Sequence, residues 1–228
     1  MKKVISYLAA LLIFLTIGFG VYLNINEKLS IDRTKIPEKV ETSKGFQKWI
    51  TNAKNKGFEI EADEFNLIEE NEVYNTKWIK IYSLDEPGNK EILDKTLQEH
   101  QDIKKVVFSP NDREFIDYRT EDRNGLAPNE ARLYGQREDK ILDARILDCS
   151  IKANCYFDRA YFLDNDVFVI SEISRTIDKK DETAIDCLPE DECQYSFKLH
   201  VIDLINNKRF VYESTSFSVV LSVVLPEL

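Results

Sequence analysis

Between residues 4 and 25 the chain reads VISYLAALLIFLTIGFGVYLNI, an apolar run without a formal charge, preceded by Lys2 and Lys3. As a helix it would be about 33 Å long, close to the ~30 Å hydrocarbon core of a bilayer. Tyr7 and Tyr22 fall near its ends, where aromatic rings favour the interface. A buried helix of a water-soluble domain is rarely apolar on every face. The pattern predicts one transmembrane anchor at 4–25, with residues 1–3 cytoplasmic. A cleaved signal peptide has a shorter apolar core followed by a small-x-small site. Here Gly18-Phe19-Gly20 sits in the middle of the run, so an uncleaved anchor is the expectation. The polar stretch 26–42 reads as a tether, and 43–228 as an extracytoplasmic β-rich domain.

Beyond the tether the apolar period changes twice. Phe46, Trp49, Ile50 and Ala53 recur at helical spacing, with Thr42 or Ser43 to cap the start and Gly57 to end it. From Phe58 onward the period falls to two. Strands are expected within 58–61, 73–84, 106–108, 115–119, 131–134, 141–147, 160–163, 167–173, 195–204, 209–212 and 217–225. Turn chemistry separates them, as in Pro110-Asn111-Asp112, Asp164-Asn165-Asp166 and Asn206-Asn207. One segment fits two patterns. Ile92, Leu93, Leu97, His100 and Ile103 suit a helix face, and also a strand followed by a loop. The last apolar stretch, FSVVLSVVLPEL, is too short to span a membrane and reads as a buried strand that could close the sheet with an N-terminal one.

The strands repeat. VVFSPNDREFIDYR, a polar loop and ARLYGQREDKILDARI form one unit. AYFLDNDVFVISEIS, a longer loop and FKLHVIDLINNKRFVYES form the next, with Phe108 and Phe162 in matching places. Units of four strands every ~40–50 residues are the pattern of propeller blades. The string TLQEHQDIKKVVFSPNDREF, about 96–115, resembles the junction between blades in WD-repeat and TolB-type β-propellers, and looser similarity extends over 78–214. The resemblance implies blade-like antiparallel meanders. Asn111-Asp112-Arg113 stands where those families have Asp-Gly, and too few units are present to close a ring. The expected fold class is therefore mainly β, either an incomplete propeller-like stack or an open β-sandwich, with one or two N-terminal helices.

Charge and cysteines narrow the partners and the compartment. A net charge of -10 argues against nucleic acid, whose recognition relies on Lys and Arg at phosphates. The four cysteines form two C-x5-C pairs, Cys149 with Cys155 and Cys187 with Cys193. Clustered in even number after a membrane segment, they suggest disulfides in an oxidising compartment. The local pairing is one of three that can be drawn. Four-cysteine zinc is the rival, although zinc pairs are usually spaced more tightly. The cysteines also decide orientation, because Lys28, Arg33, Lys35 and Lys39 oppose Lys2 and Lys3 in a simple charge count.

Catalytic signals are missing. His100 and His200 are the two histidines, and neither has a nucleophile or acid at a recognisable spacing. No nucleophile elbow, phosphate loop, dinucleotide fingerprint or zinc-protease helix occurs. Two polar loops occupy equivalent places in the repeat. The first, near Arg123 and Asn124, and the second, near Asp181, Glu182, Glu190 and Asp191, are candidate binding loops on one edge. The sequence points to a membrane-anchored binding, sensor or interaction module of the cell envelope, with a protein partner and no cofactor or metal. The alternative is an envelope hydrolase with a carboxylate site on the loop edge.

Overall fold

The computed structural model describes residues 34–73, 78–120, 129–150, 154–175 and 187–225, together with Thr16, Gly18 and Asp32. The chain divides into two compact units, 1–35 and 36–228. In the first, the Asp32 carboxylate accepts the Thr34 amide at 2.9 Å and the Thr34 hydroxyl at 2.5 Å. The expected anchor, 4–25, lies outside the described residues except for Thr16 and Gly18. Among the described residues no helix is long and apolar enough to cross a membrane.

The second unit is mainly β, with antiparallel sheets and few helices, and it is not a closed barrel. It opens with a short helix, α1 (Glu38–Glu41), and with α2 (Lys44–Asn55). Ile36 and Val40, inside the stretch read as tether, are buried in its core. The Ser43 hydroxyl caps α2 by accepting the Phe46 amide at 3.2 Å, and Gly57 follows its end at φ +91°. Phe46, Trp49, Ile50 and Ala53 are buried as their spacing requires. Phe58 and Ile60 are also buried, yet among the described residues 58–61 pairs with no strand. The alternation there marks a chain laid across a core, which can produce period two without a ladder.

The strands follow as β1 (Asn66–Asn71) and β2 (Ile79–Ser83), then helix α3 (Asn89–His100), then β3 (Val106–Phe108) and β4 (Glu114–Asp117). After these come β5 (Glu130–Arg137), β6 (Lys140–Asp148), β7 (Cys155–Phe162) and β8 (Val167–Arg175). The chain ends with β9 (Glu192–Asp203), β10 (Lys208–Glu213), β11 (Phe217–Val220) and a short α4 (Leu221–Val224). The first sheet runs β1-β10-β9-β8-β7, with β11 added on β9. The second runs β2-β6-β5-β4-β3. Each is a four-strand meander with one earlier strand joined to its last member. The ambiguous segment is the helix α3, with Leu93 buried and Ile92 exposed. The C-terminal strand pairs with β9 and gives way to α4 at Leu221, so it does not meet an N-terminal strand; β1 takes the place beside β10.

Alternation along β8 explains the layering. Val167, Val169 and Ile173 join a core with α2, whereas Phe168 and Ile170 join a second core with Ile116, Leu133, Leu142 and Ala144 of the other sheet. On the outer face of the second sheet, the His100 ring of α3 stacks on Phe115 with centroids 4.6 Å apart. The layers are therefore α2, first sheet, second sheet, α3.

Two glycines are required by close approach. A Cβ on Gly45 would lie 2.2 Å from the Tyr161 ring, which is how closely α2 seats on β7. Gly135 has φ +152°, and a Cβ there would lie 2.3 Å from the Arg113 carbonyl. Several hairpins use other residues in the left-handed region: Asp112 at φ 58°, Glu138 at φ 54° and Asn207 at φ 52°. This is how a β protein turns with so few glycines. The Asn111 amide donates to the Asn165 side-chain oxygen at 3.1 Å, 54 positions away, so matching turns of the sequence repeat touch.

Candidate functional site

A cleft of about 650 Å³ opens at the end of the sheets where the tight hairpin turns gather. Leu142 and Leu204 form part of its apolar lining, and Ile81 and Ile205 are exposed beside it. Its polar centre is built on the first residue of β4. Glu114 is 4% exposed, and its carboxylate lies 3.3 Å from Arg137 Nε. Arg137 also pairs with Asp166 of the β7–β8 turn, joining the two sheets.

The turn before Glu114 is fixed by its own side chains. Ser109 Oγ donates to Asn111 Oδ1 at 2.8 Å, and the Arg113 amide donates to the same oxygen at 3.1 Å. Glu114 faces Gly135 across the β4–β5 ladder, where the missing side chain lets the strands approach. Burial pushes the Glu114 carboxyl up to about 7; Arg137 opposes that shift and the Asp166 charge adds to it. Desolvation is the largest cause and outweighs the guanidinium.

At the opposite end of the sheets the described residues include only part of the expected binding loops. Arg123, Asn124, Asp181 and Glu182 lie outside the described residues. Glu190 and Asp191 belong to the turn that leads into β9, where the Asp191 amide donates to the Leu188 carbonyl at 3.0 Å. The roots of both loops come together. Asn129 donates to the Cys155 carbonyl at 2.6 Å, Asn154 to the Cys187 carbonyl at 2.6 Å, and the Arg175 amide to the Asn154 carbonyl at 3.0 Å.

The cysteines adopt the local pairing. Cys149–Cys155 and Cys187–Cys193 are disulfides with Cα separations of 5.2 and 6.5 Å, consistent with an extracytoplasmic protein. Each adds about 2 kcal/mol in the chain-entropy account. The sulfurs of Cys149 and Cys155 and a Glu172 carboxylate oxygen lie within 4.8 Å of one another. Both sulfurs are bonded to each other, so the trio presents a carboxylate and no thiolate.

Glu172 Oε2 is 2.8 Å from His200 Nε2, and both residues are buried between the sheets. A buried acid–histidine pair invites a search for a nucleophile. Ser174 is on the same strand face as Glu172, but His200 is registered opposite Ile170 and Ser174 opposite Ser196. Four strand residues put Ser174 roughly 13 Å from the histidine, out of its reach. His100 is structural too: its Nδ1 lies 2.7 Å from the Thr96 carbonyl at the end of α3. A smaller cavity of about 280 Å³ beside α2 includes Asp158, whose carboxylate accepts Trp49 Nε1 at 2.9 Å and pairs with Lys56 at 3.7 Å.

Glu114, Arg137, Asp166 and Glu172 went unmarked in the sequence because only sheet stacking and strand register bring them to their partners. The one available signal was the 54-residue offset that aligns Asn111 with Asn165. No protein-family model, curated protein or solved structure matches this chain.

Proposed function

We propose that this chain is a binding module of the cell envelope, anchored in the membrane by residues 4–25 and engaging a protein partner outside the cytoplasm through the cleft at the hairpin end. The cleft carries the proposal. It combines a buried, shared carboxylate–guanidinium cluster with Arg113 at its wall and Ile205 exposed beside it. Apolar surface next to oriented charge suits a peptide segment with both kinds of side chain. The disulfides and the net charge of -10 fit a soluble domain facing an oxidising compartment.

A hydrolase remains the second reading because Glu114, with its raised pKa, shares a cation with Asp166. Arg137 bonds both carboxylates, however, and holds them in one ion-pair cluster. Binding is accordingly the better use of the site.

The test is photocrosslinking in cells, with a photoreactive residue placed at Ile205 in the full chain and, as control, at exposed Ile92 on α3. A discrete adduct with another protein is expected from position 205, absent from position 92, and lost when Arg113→Glu reverses the wall charge. Equal labelling from both positions, or an adduct indifferent to Arg113→Glu, would sink the proposal.

A further inference from the structure

The two sheets end in unlike edges. β1 closes the first sheet with a bulge between Leu67 and Glu69 and with ion pairs from Glu69 to Arg209 at 3.1 Å and Glu70 to Lys208 at 2.6 Å. Bulges and charges are how sheets refuse another strand. β2 closes the second sheet in regular register with β6, and Trp78, Ile81 and Tyr82 are 60%, 61% and 41% exposed. The edge keeps its register and carries a single charge, Lys80, between apolar neighbours, and a regular strand edge is a pairing surface.

The ladder fixes which backbone groups are available. Arg145 donates its amide to the Trp78 carbonyl at 3.1 Å, and Leu84 donates to the Asp139 carbonyl at 3.0 Å. Even-numbered residues therefore bond to β6. By antiparallel alternation the amides and carbonyls of Ile79, Ile81 and Ser83 point away from it. The Ser83 carbonyl accepts the Asn89 side chain at 2.7 Å, which leaves Ile79 and Ile81 as the centre of an edge that is open among the described residues.

We propose that β2 pairs with β2 of a second copy of this chain, antiparallel and centred on Ile81. Trp78 and the strand after it read Trp78-Ile79-Lys80-Ile81-Tyr82-Ser83 and contain no acid, so two copies meet there without opposed carboxylates despite the net charge of -10. The available groups require odd residues opposite odd residues. Centring on Lys80 would set two ammonium groups face to face, which is unfavourable. Centring on Tyr82 would shorten the overlap. Centring on Ile81 sets Ile81 against Ile81, Ile79 against Ser83, and Lys80 against Tyr82, where an ammonium meets an aromatic ring. The contact is isologous, so it closes at two copies and joins two five-stranded sheets into one. It requires no ligand in the cleft.

Cysteine scanning of the full chain in detergent tests both pairing and register. Residues opposite each other in a hydrogen-bonded antiparallel pair have Cα atoms ~5.5 Å apart, within disulfide range. Ile81→Cys should crosslink to itself on mild oxidation. Lys80→Cys and Tyr82→Cys should each fail alone and crosslink when mixed. Ile81→Lys should weaken association at least ~10-fold by placing like charges on the axis, with the far-ultraviolet circular dichroism unchanged. A wild-type chain that sediments as a monomer throughout, an Ile81→Cys that links no faster than Ile92→Cys, or self-linking of Lys80→Cys would overturn the proposal. Because position 205 and Arg113 lie off this strand, their crosslinks can succeed or fail independently of it.

Discussion

The two sheets share a strand order but not a depth of packing. The first is covered by α2, whose Trp49 is 1% exposed and meets Phe197 edge-on at 5.3 Å and Phe65 at 6.0 Å. The second is covered by α3, which buries one leucine, Leu93, and rests His100 on Phe115. The difference follows from sequence. α2 carries two aromatics on one stripe, whereas α3 spends its apolar residues on more than one side and leaves Ile92 59% exposed. One sheet is thus a stable platform. The other combines a thin cover, an open edge and most of the cleft, which are properties of a surface that meets other molecules.

The sharpest way to break this comparison is to truncate each cover. Trp49→Ala should cost about 3–5 kcal/mol, because it opens an aromatic cluster and removes one hydrogen bond from the Asp158 carboxylate. Leu93→Ala should cost about 2–3 kcal/mol, with less of the core beneath it. Urea midpoints of the two variants measure the difference, and equal losses would mean that the helices contribute alike.

A smaller effect should appear with pH. The Glu114 carboxyl titrates near 4.5 when unfolded and about 7 when folded. Its folded state holds the proton more tightly, so its contribution to stability is complete below about 4.5 and is lost as pH rises through about 7. Glu114→Gln should flatten that part of the stability profile. An unchanged slope in thermal melts across the window would place the titration elsewhere.

The smallest expected change concerns the turns. Glu138 closes the β5–β6 hairpin with φ 54°, and Asn207 closes β9–β10 with φ 52°. Glu138→Gly should stabilise by about 0.5–1 kcal/mol through relief of left-handed strain. Asn207→Gly should gain only a few tenths, about 0.3 kcal/mol, since Asn tolerates that region. Denaturation of both variants side by side would show whether the second sheet holds the more strained turn.

Legibility from sequence tracked local pattern. α2 was visible in four apolar positions, and most strands in their alternation. β1 was not, because Asn66–Asn71 is an edge strand with four of its six residues exposed and offers no period to read. α3 was ambiguous because its apolar residues fit two templates. The repeat was real as sheet order, with β3 to β6 in one sheet and β7 to β10 in the other. The cleft lay beyond reach: Glu114, Arg137 and Asp166 come from three separate segments, and only the docking of one sheet on the other defines their geometry.

The path of the chain has a consequence for its synthesis. Every strand of the second sheet comes from 79–148, a continuous stretch. In the first sheet, β1 pairs with β10, and Glu70 meets Lys208 across 138 positions. On a chain emerging N-terminus first, the second sheet can assemble before β7 is made. α2 and β1 must then wait, with Phe46 and Trp49 uncovered, until the last third of the domain leaves the ribosome. The more deeply packed half of the finished molecule is the half that matures last, and the apolar residues the nascent chain leaves uncovered are those that later form its core.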